Sequence, residues 1–284
     1  MASPTSETPF CEGLLPGPGS KPSQKGPWLA PESPDVVWFG GADATRFLND
    51  LISQEIGDMG DGEARRSFLL EPQGKLSFLL WVIRDGGRWG LVTDPGRGEA
   101  LAAALGRYRI RVDVDIEPET GGVWLVMGEG EGYDLSWPGV SRRLLIGDQP
   151  ELPTGSADDY GRARVEAGEP AWGQDVDEGT IPHESGLVPV SVDFTKGCFL
   201  GQELVARIDS RGGNTPRHLR RVVGDGPLTL GQTLTSDGKE VGKLTSVTGN
   251  VGLAMVRREV EPGDVVDAGG VEASIEELTA KASS

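Results

Sequence analysis

Asp193-Phe-Thr-Lys-Gly-Cys-Phe-Leu-Gly-Gln-Glu203 is the most informative run of the chain. Leu200, Leu204 and Ile208 fall at i, i+4 and i+8 with Val205 beside them, an apolar stripe at helical spacing, while Glu203 and Arg207 form an i,i+4 pair on the outer face. The spacing predicts a helix beginning near Leu200. Cys198 then stands just before a helix N-terminus and two residues from Lys196. The helix dipole and the ammonium would both favour thiolate over thiol. A lone cysteine is often a small buried hydrophobe, but Lys196, Gly197, Gly201, Gln202 and Glu203 make a poor apolar pocket. The reading is a reactive thiol, Cys198, with Lys196 as the cation beside it.

Working outward, the flanks decide the class of fold. Val36 to Phe39 reads as a buried strand and Ala42 to Leu51 as a helix with Phe47, Leu48 and Leu51 inward. Arg66–Glu71, Lys75–Arg84 and Arg88–Thr93 are strand-like runs separated by Pro72-Gln-Gly74 and Asp85-Gly-Gly87, turn signals that predict an antiparallel meander. Glu99–Arg107 is helical with an Ala/Leu face, and Tyr108–Glu117 alternates strictly, predicting a half-buried strand. Strands over 123–127 and 142–146 precede a helix over 158–166. After Asn214 the pattern changes to strands broken by Gly-rich turns, which fits a small β-barrel over 216–278. Helices interleaved with antiparallel strands make this an α+β protein: two α+β subdomains over 28–214 and a barrel domain over 215–284. Residues 1–27 hold six prolines with scattered Gly, Ser and Thr and no periodicity, and are expected to be a disordered tail.

Composition narrows the function. The chain of 284 residues carries 27 Lys plus Arg against 44 Asp plus Glu, a net charge of −17 that opposes general nucleic-acid binding. Two cysteines, Cys11 and Cys198, and two histidines, His183 and His218, are too few for a dedicated zinc or iron–sulfur cage, so no resident metal is expected. No stretch reaches the ~20 apolar residues of a membrane span, and a cytoplasmic location with reduced thiols is expected. Three lesser features have bland readings: Asp113, Asp115 and Glu117 as the wet side of a strand, Arg217, Arg220 and Arg221 as a solvated barrel edge, and His183 with Cys198 as a pair that spacing alone does not bring together.

Lys196-Gly-Cys-Phe-Leu-Gly-Gln-Glu203 with Val205-Ala-Arg207 resembles the signature of the YgfZ family, folate-binding relatives of the glycine-cleavage T protein that support iron–sulfur proteins. Gly41-Ala-Asp43 with Phe47-Leu48, Leu70-Glu-Pro-Gln-Gly-Lys75, Arg164-Val-Glu-Ala-Gly168 and Ile181-Pro-His-Glu184 stand in that family's order. The resemblance covers about residues 36–280. It implies two ferredoxin-like α+β subdomains forming a folate-binding unit, closed by the barrel, with tetrahydrofolate or another folate as cofactor. It further implies Glu166 as the carboxylate reading the pterin, Tyr160 as a stacking aromatic and Arg164 beside them. Where relatives carry a second stacking aromatic this chain has Pro34, leaving Trp28 or Trp38. The function implied is support of iron–sulfur cluster assembly or repair through Cys198, with folate and iron–sulfur client or assembly proteins as partners of a monomer. Aminomethyl transfer to tetrahydrofolate and a non-catalytic role in regulating tRNA modification are the alternatives.

Overall fold

The computed structural model describes residues 26–278; the predicted tail, with Cys11, lies almost wholly outside them. The first unit is a five-stranded antiparallel sheet in the order β3-β4-β5-β2-β6, built from β2 (Asp35–Gly40), β3 (Ala64–Leu70), β4 (Leu76–Asp85), β5 (Arg88–Thr93) and β6 (Asp115–Pro118), with helices α1 (Ala44–Asn49) and α2 (Gly98–Gly106). Both faces are covered, which explains the apolar character of its strands. Val37, Phe39, Leu69, Phe78, Leu80 and Leu91 join α1 and α2 in one core. Val36, Trp38, Phe68, Trp81, Ile83 and Val92, one residue out of phase, turn to the other side of the sheet. The period-two rule thus assigns alternate side chains to different cores.

The second unit is a four-stranded sheet, β1-β7-β9-β8, formed by β1 (Trp28–Leu29), β7 (Val123–Met127), β8 (Tyr133–Asp134) and β9 (Arg142–Ile146), followed by α3 (Ala157–Glu166). Leu125, Met127, Leu135 and Leu144 share a core with the second face of the first sheet. A 3₁₀ turn at Pro182–Ser185, then α4 (Val188–Ser191) and α5 (Gln202–Asp209), lead to the third unit. There β10 (Arg217–Gly224), β11 (Thr233–Ser236), β12 (Lys239–Thr248), β13 (Val251–Arg257), β14 (Val265–Asp267) and β15 (Glu272–Glu276) close a barrel in the order β10-β13-β12-β11-β14-β15. The α+β class and the C-terminal barrel are as the sequence reading expected.

Two local expectations are corrected. Of the predicted 108–117 strand only the last three residues, Asp115 to Glu117, pair in the sheet, as part of β6. Asp113 is tied crosswise to the start of α1, its N–H donating to Asp43 Oδ2 at 2.9 Å and its carbonyl accepting from Asp43 N at 3.0 Å, and Arg111 turns the chain at φ 56°. The segment that alternates on paper is therefore bent before it can pair. The second correction is the start of α5, at Gln202 rather than Leu200, because Gly201 before it is left-handed at φ 76°.

Candidate functional site

Between the two sheets and α3 lies a cavity of about 510 Å³, within the ~300–1,000 Å³ usual for small-molecule sites. The first sheet contributes Arg66, Leu79, Trp81 and Asp94; the second contributes Leu125, Leu135 and Arg142; α3 and the loop after it contribute Tyr160, Arg164, Glu169 and Trp172. Its polar centre is Glu169, whose Oε1 accepts from both Arg66 and Arg142. Burial works against the Glu169 carboxylate, but Arg142 and Arg66 outweigh it and hold the group below the ordinary carboxylate range. Its second oxygen, Oε2, is buried with no partner among the described residues. Arg66 is pressed between the rings of Trp81 and Trp137, at 4.7 and 4.6 Å from their centroids, and its Nε is likewise unpartnered. Such groups are costly unless a ligand or water completes them. Asp94 is a further, half-buried carboxyl there; desolvation pushes it above the ordinary value, although Arg97 and Arg66 lie near enough to oppose the shift.

Tyr160 and Arg164 are one helical turn apart on α3 and both line the cavity. Tyr160 is half-buried, hydrogen-bonds Arg142, and is held above the usual phenol value by burial. Arg164 faces the barrel as much as the cavity: Nη1 donates to Glu169 O and Asp175 Oδ2, both at 2.7 Å, and Nη2 to Gln174 Oε1 at 3.1 Å and Ser246 Oγ at 2.8 Å. Asp175 Oδ1 in turn accepts from Thr245 at 2.6 Å and Ser246 at 2.7 Å on β12. Arg164 therefore fixes the barrel and the Glu169 loop to α3 and has no free Nη donor for a ligand.

Glu166 is corrected. It is exposed at the end of α3 and does not line the cavity. Two residues beyond Arg164 is about 200° around a helix, so a helix that turns Arg164 inward turns Glu166 outward. The chain then leaves the helix through Gly168, at φ 71°, and returns Glu169 beneath it. The aromatic expectation changes too. Trp28 is sealed against Gly155, and Trp38 donates to Glu119 at 2.7 Å while carrying Arg88 on its ring. The cavity's tryptophans are Trp81 and Trp172, neither of which carried a signal in the sequence reading.

Cys198 is exposed, in the loop before α5. Here two sequence motifs meet. A Cβ on Gly201 would stand 2.5 Å from Glu71 O, and one on Gly74 2.5 Å from the Leu204 Cβ, so only glycine permits this contact between the thiol loop and the β3–β4 turn. Lys196 does not face the thiol. Its ammonium donates to Asn49 Oδ1 at 3.1 Å, Ile52 O at 2.9 Å and Gln54 O at 2.8 Å, engaging all three N–H groups, and burial pulls it down to about 8. α5 starts at Gln202, four residues beyond Cys198, and all three Lys196 N–H groups are taken up by Asn49 and the loop after α1. His183 is not hydrogen-bonded to Cys198: both ring nitrogens are buried with no hydrogen-bond partner among the described residues, Asp209 stands at 3.8 Å, and burial holds the ring below its ordinary pKa. The thiol and the cavity are separate. From Glu71 back to Arg66 is five steps along β3, roughly 16 Å at ~3.3 Å per residue.

Two facing sheets around a ligand-sized cavity, with a barrel clamped to the intervening helix, define an aminomethyltransferase-type fold. The crystal structure of glycine cleavage system aminomethyltransferase T from Bartonella henselae matches with a TM-score of 0.73 at 18% identity, covering 90% of this chain and 86% of that one, a likeness of fold alone. The family described as CAF17, C-terminal beta-barrel domain, matches residues 216–280. Within this class the chain belongs to the family of the iron-sulfur cluster assembly factor IBA57. The mitochondrial IBA57 of Mus musculus is 34% identical to it, over 88% of this chain and 83% of that protein, and that of Homo sapiens 29% identical, over 85% and 81%. The YgfZ proteins suggested by the thiol motif are the bacterial relatives of this family. No helix among the described residues is long and apolar enough to cross a membrane.

Proposed function

We propose that this protein supports iron–sulfur cluster assembly or repair by holding tetrahydrofolate, or another folate, in the cavity between the sheets and presenting Cys198 to iron–sulfur client or assembly proteins. The observation that carries the folate reading is Glu169 Oε2, a buried and unpartnered carboxylate oxygen in a cavity with aromatic walls. A pterin offers it what it lacks, since the 2-amino and N3–H groups are two adjacent donors suited to one carboxylate. The residues that would hold the folate are Glu169 at the pterin and Tyr160, Trp81 and Trp172 as apolar and aromatic walls, with Arg164 as a positioning residue. When bound, folate would supply a carrier for a one-carbon unit. Cluster assembly is what the names of the IBA57 relatives state of those proteins, and family membership supports carrying it over.

Within this reading Cys198 is the working thiol because it is exposed on a loop pinned by Gly74, Gly201 and Lys196. Lys196 acts on the loop's position and not on the sulfur. The aminomethyl-transfer alternative rests on a likeness of fold, and the tRNA-linked alternative works against a net charge of −17. The cytoplasm belongs to the proposal as the compartment; the IBA57 relatives named above are mitochondrial proteins. The test has two arms: calorimetric titration of the full chain with tetrahydrofolate, and rescue of iron–sulfur enzyme activity in cells lacking the protein. Saturable folate binding is expected from both the natural protein and Cys198→Ala, with rescue by the former only. Absence of folate binding by the natural protein, or full rescue by Cys198→Ala, refutes the corresponding half of the proposal.

A further inference from the structure

The barrel carries a charged feature that the cavity and the thiol leave without a task. At one end of the β10–β13 ladder Arg217 and Arg257 stand directly opposite each other. With Arg258, Pro216 and Glu259 they wall a cleft of about 450 Å³. Like charges directly opposite on antiparallel strands destabilise a sheet, and the internal compensation is partial. Arg217 donates through Nε and Nη2 to Glu184, at 3.2 Å each. Among the described residues Arg257 has only Glu259, at 4.0 Å between two exposed side chains. Arg258 is exposed and has no side-chain partner among the described residues. Three guanidiniums thus line one cleft with a single carboxylate, Glu259, while Glu184 meets Arg217 from the buried side, on a chain whose net charge is −17.

We propose that this cleft is a docking site for a short acidic segment of a partner polypeptide, its carboxylates received by Arg257 and Arg258 beside Arg217. The guanidinium fork matches a carboxylate in two parallel hydrogen bonds, and arginine is enriched at protein interfaces. A short segment carrying a few carboxylates supplies the missing negative charge and ends before it reaches the acidic remainder of the surface. An RNA strand would run its continuous phosphates across that surface and be repelled. Arg217 also links the cleft to the thiol loop. Its partner Glu184 lies in the Pro182–Ser185 turn, whose His183 faces Asp209 at the end of α5. A segment held here is anchored to the helix that follows Cys198.

The experiment is fluorescence anisotropy of a labelled hexaglutamate peptide titrated with the full chain at low salt, in parallel with an oligouridylate of the same charge. The peptide is expected to bind, to be released by added salt, and to bind at least tenfold more weakly to the Arg257→Gln/Arg258→Gln double variant. Arg257→Gln alone is expected to keep or raise Tm, because it relieves the opposition to Arg217. The proposal is overturned if the peptide does not bind, if the double variant binds it as tightly, or if the oligouridylate binds more tightly through the same two arginines. A lowered Tm for Arg257→Gln would make that residue structural and overturns it as well.

Discussion

Replacing Glu169 by Gln tests the centre of the cavity, and the structure fixes both the size and the pH dependence of the effect. Glu169 is buried, with Arg66 and Arg142 on one of its oxygens. Gln keeps the volume and removes the charge, leaving two buried guanidiniums uncompensated, and breaking a buried pair in this way costs about 3–5 kcal/mol. At roughly 2–4 °C per kcal/mol for a chain of this order of size, Tm at pH 7 should fall by about 6–20 °C. The carboxyl is held below its ordinary value by Arg142 and Arg66 against the opposing effect of burial. Its contribution is therefore present above the unfolded-state pKa and disappears as pH falls through the lower folded-state value. The difference in Tm between natural protein and variant should be full at pH 7 and shrink only below the ordinary carboxylate range. For folate, losing one charge-assisted hydrogen bond of ~1.5–3 kcal/mol predicts binding about 10- to 150-fold weaker. Calorimetry of unfolding across pH, with tetrahydrofolate titration of Glu169→Gln and Glu166→Gln side by side, checks all of this. If Glu166→Gln weakens folate binding and Glu169→Gln leaves it intact, the assignment of the reading carboxylate is wrong.

Two further perturbations probe the surroundings. Lys196→Met removes three hydrogen bonds to Asn49, Ile52 and Gln54; it should destabilise the fold by about 1–3 kcal/mol in denaturant melts, while the rate of iodoacetamide labelling at Cys198 stays within twofold of the natural protein, and a large fall in that rate would show that the ammonium serves the sulfur after all. Asp94→Asn should raise Tm of the unliganded protein at pH 7: burial holds this carboxyl above its ordinary value, so the folded state binds its proton more readily than the unfolded chain and ionised Asp94 weighs against folding, a cost that vanishes once acid protonates it in both states. Equal Tm values at neutral pH would contradict that sign.

The elements that periodicity and turn residues define locally were legible. The strand over Leu76–Asp85 is apolar along most of its length because its two faces bury into different cores, and Gly-Gly and Pro-Gln-Gly turns delimit it without reference to anything distant. The Tyr108–Glu117 segment shows where that logic stops. Its alternation is strict, but hydrogen bonds to Asp43, 70 residues earlier, bend its first part away from the sheet before Asp115. The site divides in the same way. Tyr160 and Arg164 at i and i+4 share a face of α3, and the same arithmetic applied to Glu166 would have placed it outside. Glu169 was invisible because its position depends on how the chain leaves the helix after Gly168, and Trp81 and Trp172 because their common cavity exists only once two sheets face each other. Lys196 reads as a neighbour of Cys198 in sequence, while its three partners lie 142 to 147 residues away.

The separation of cavity and thiol bears on the kind of chemistry the proposed function can involve. Strong electrostatic stabilisation of a reacting centre needs fixed dipoles and the exclusion of water. The cavity has fixed charges, in the Arg66–Glu169–Arg142 cluster, beside tryptophan walls. Cys198 has neither: it faces solvent, and Lys196, the cation nearest in sequence, is tied to carbonyls of the α1 loop. A thiol so placed gains a shielded and polarised environment only when another molecule covers it, which fits action in a complex better than turnover by the chain alone. A folate seated at Glu169 would then act on that complex through the shared strands β3 and β4, whose turn abuts Gly201, rather than by contact with the sulfur. Under the proposed function, the close packing of Leu204 on Gly74 at this turn is the path by which occupancy of the cavity would reach the thiol loop.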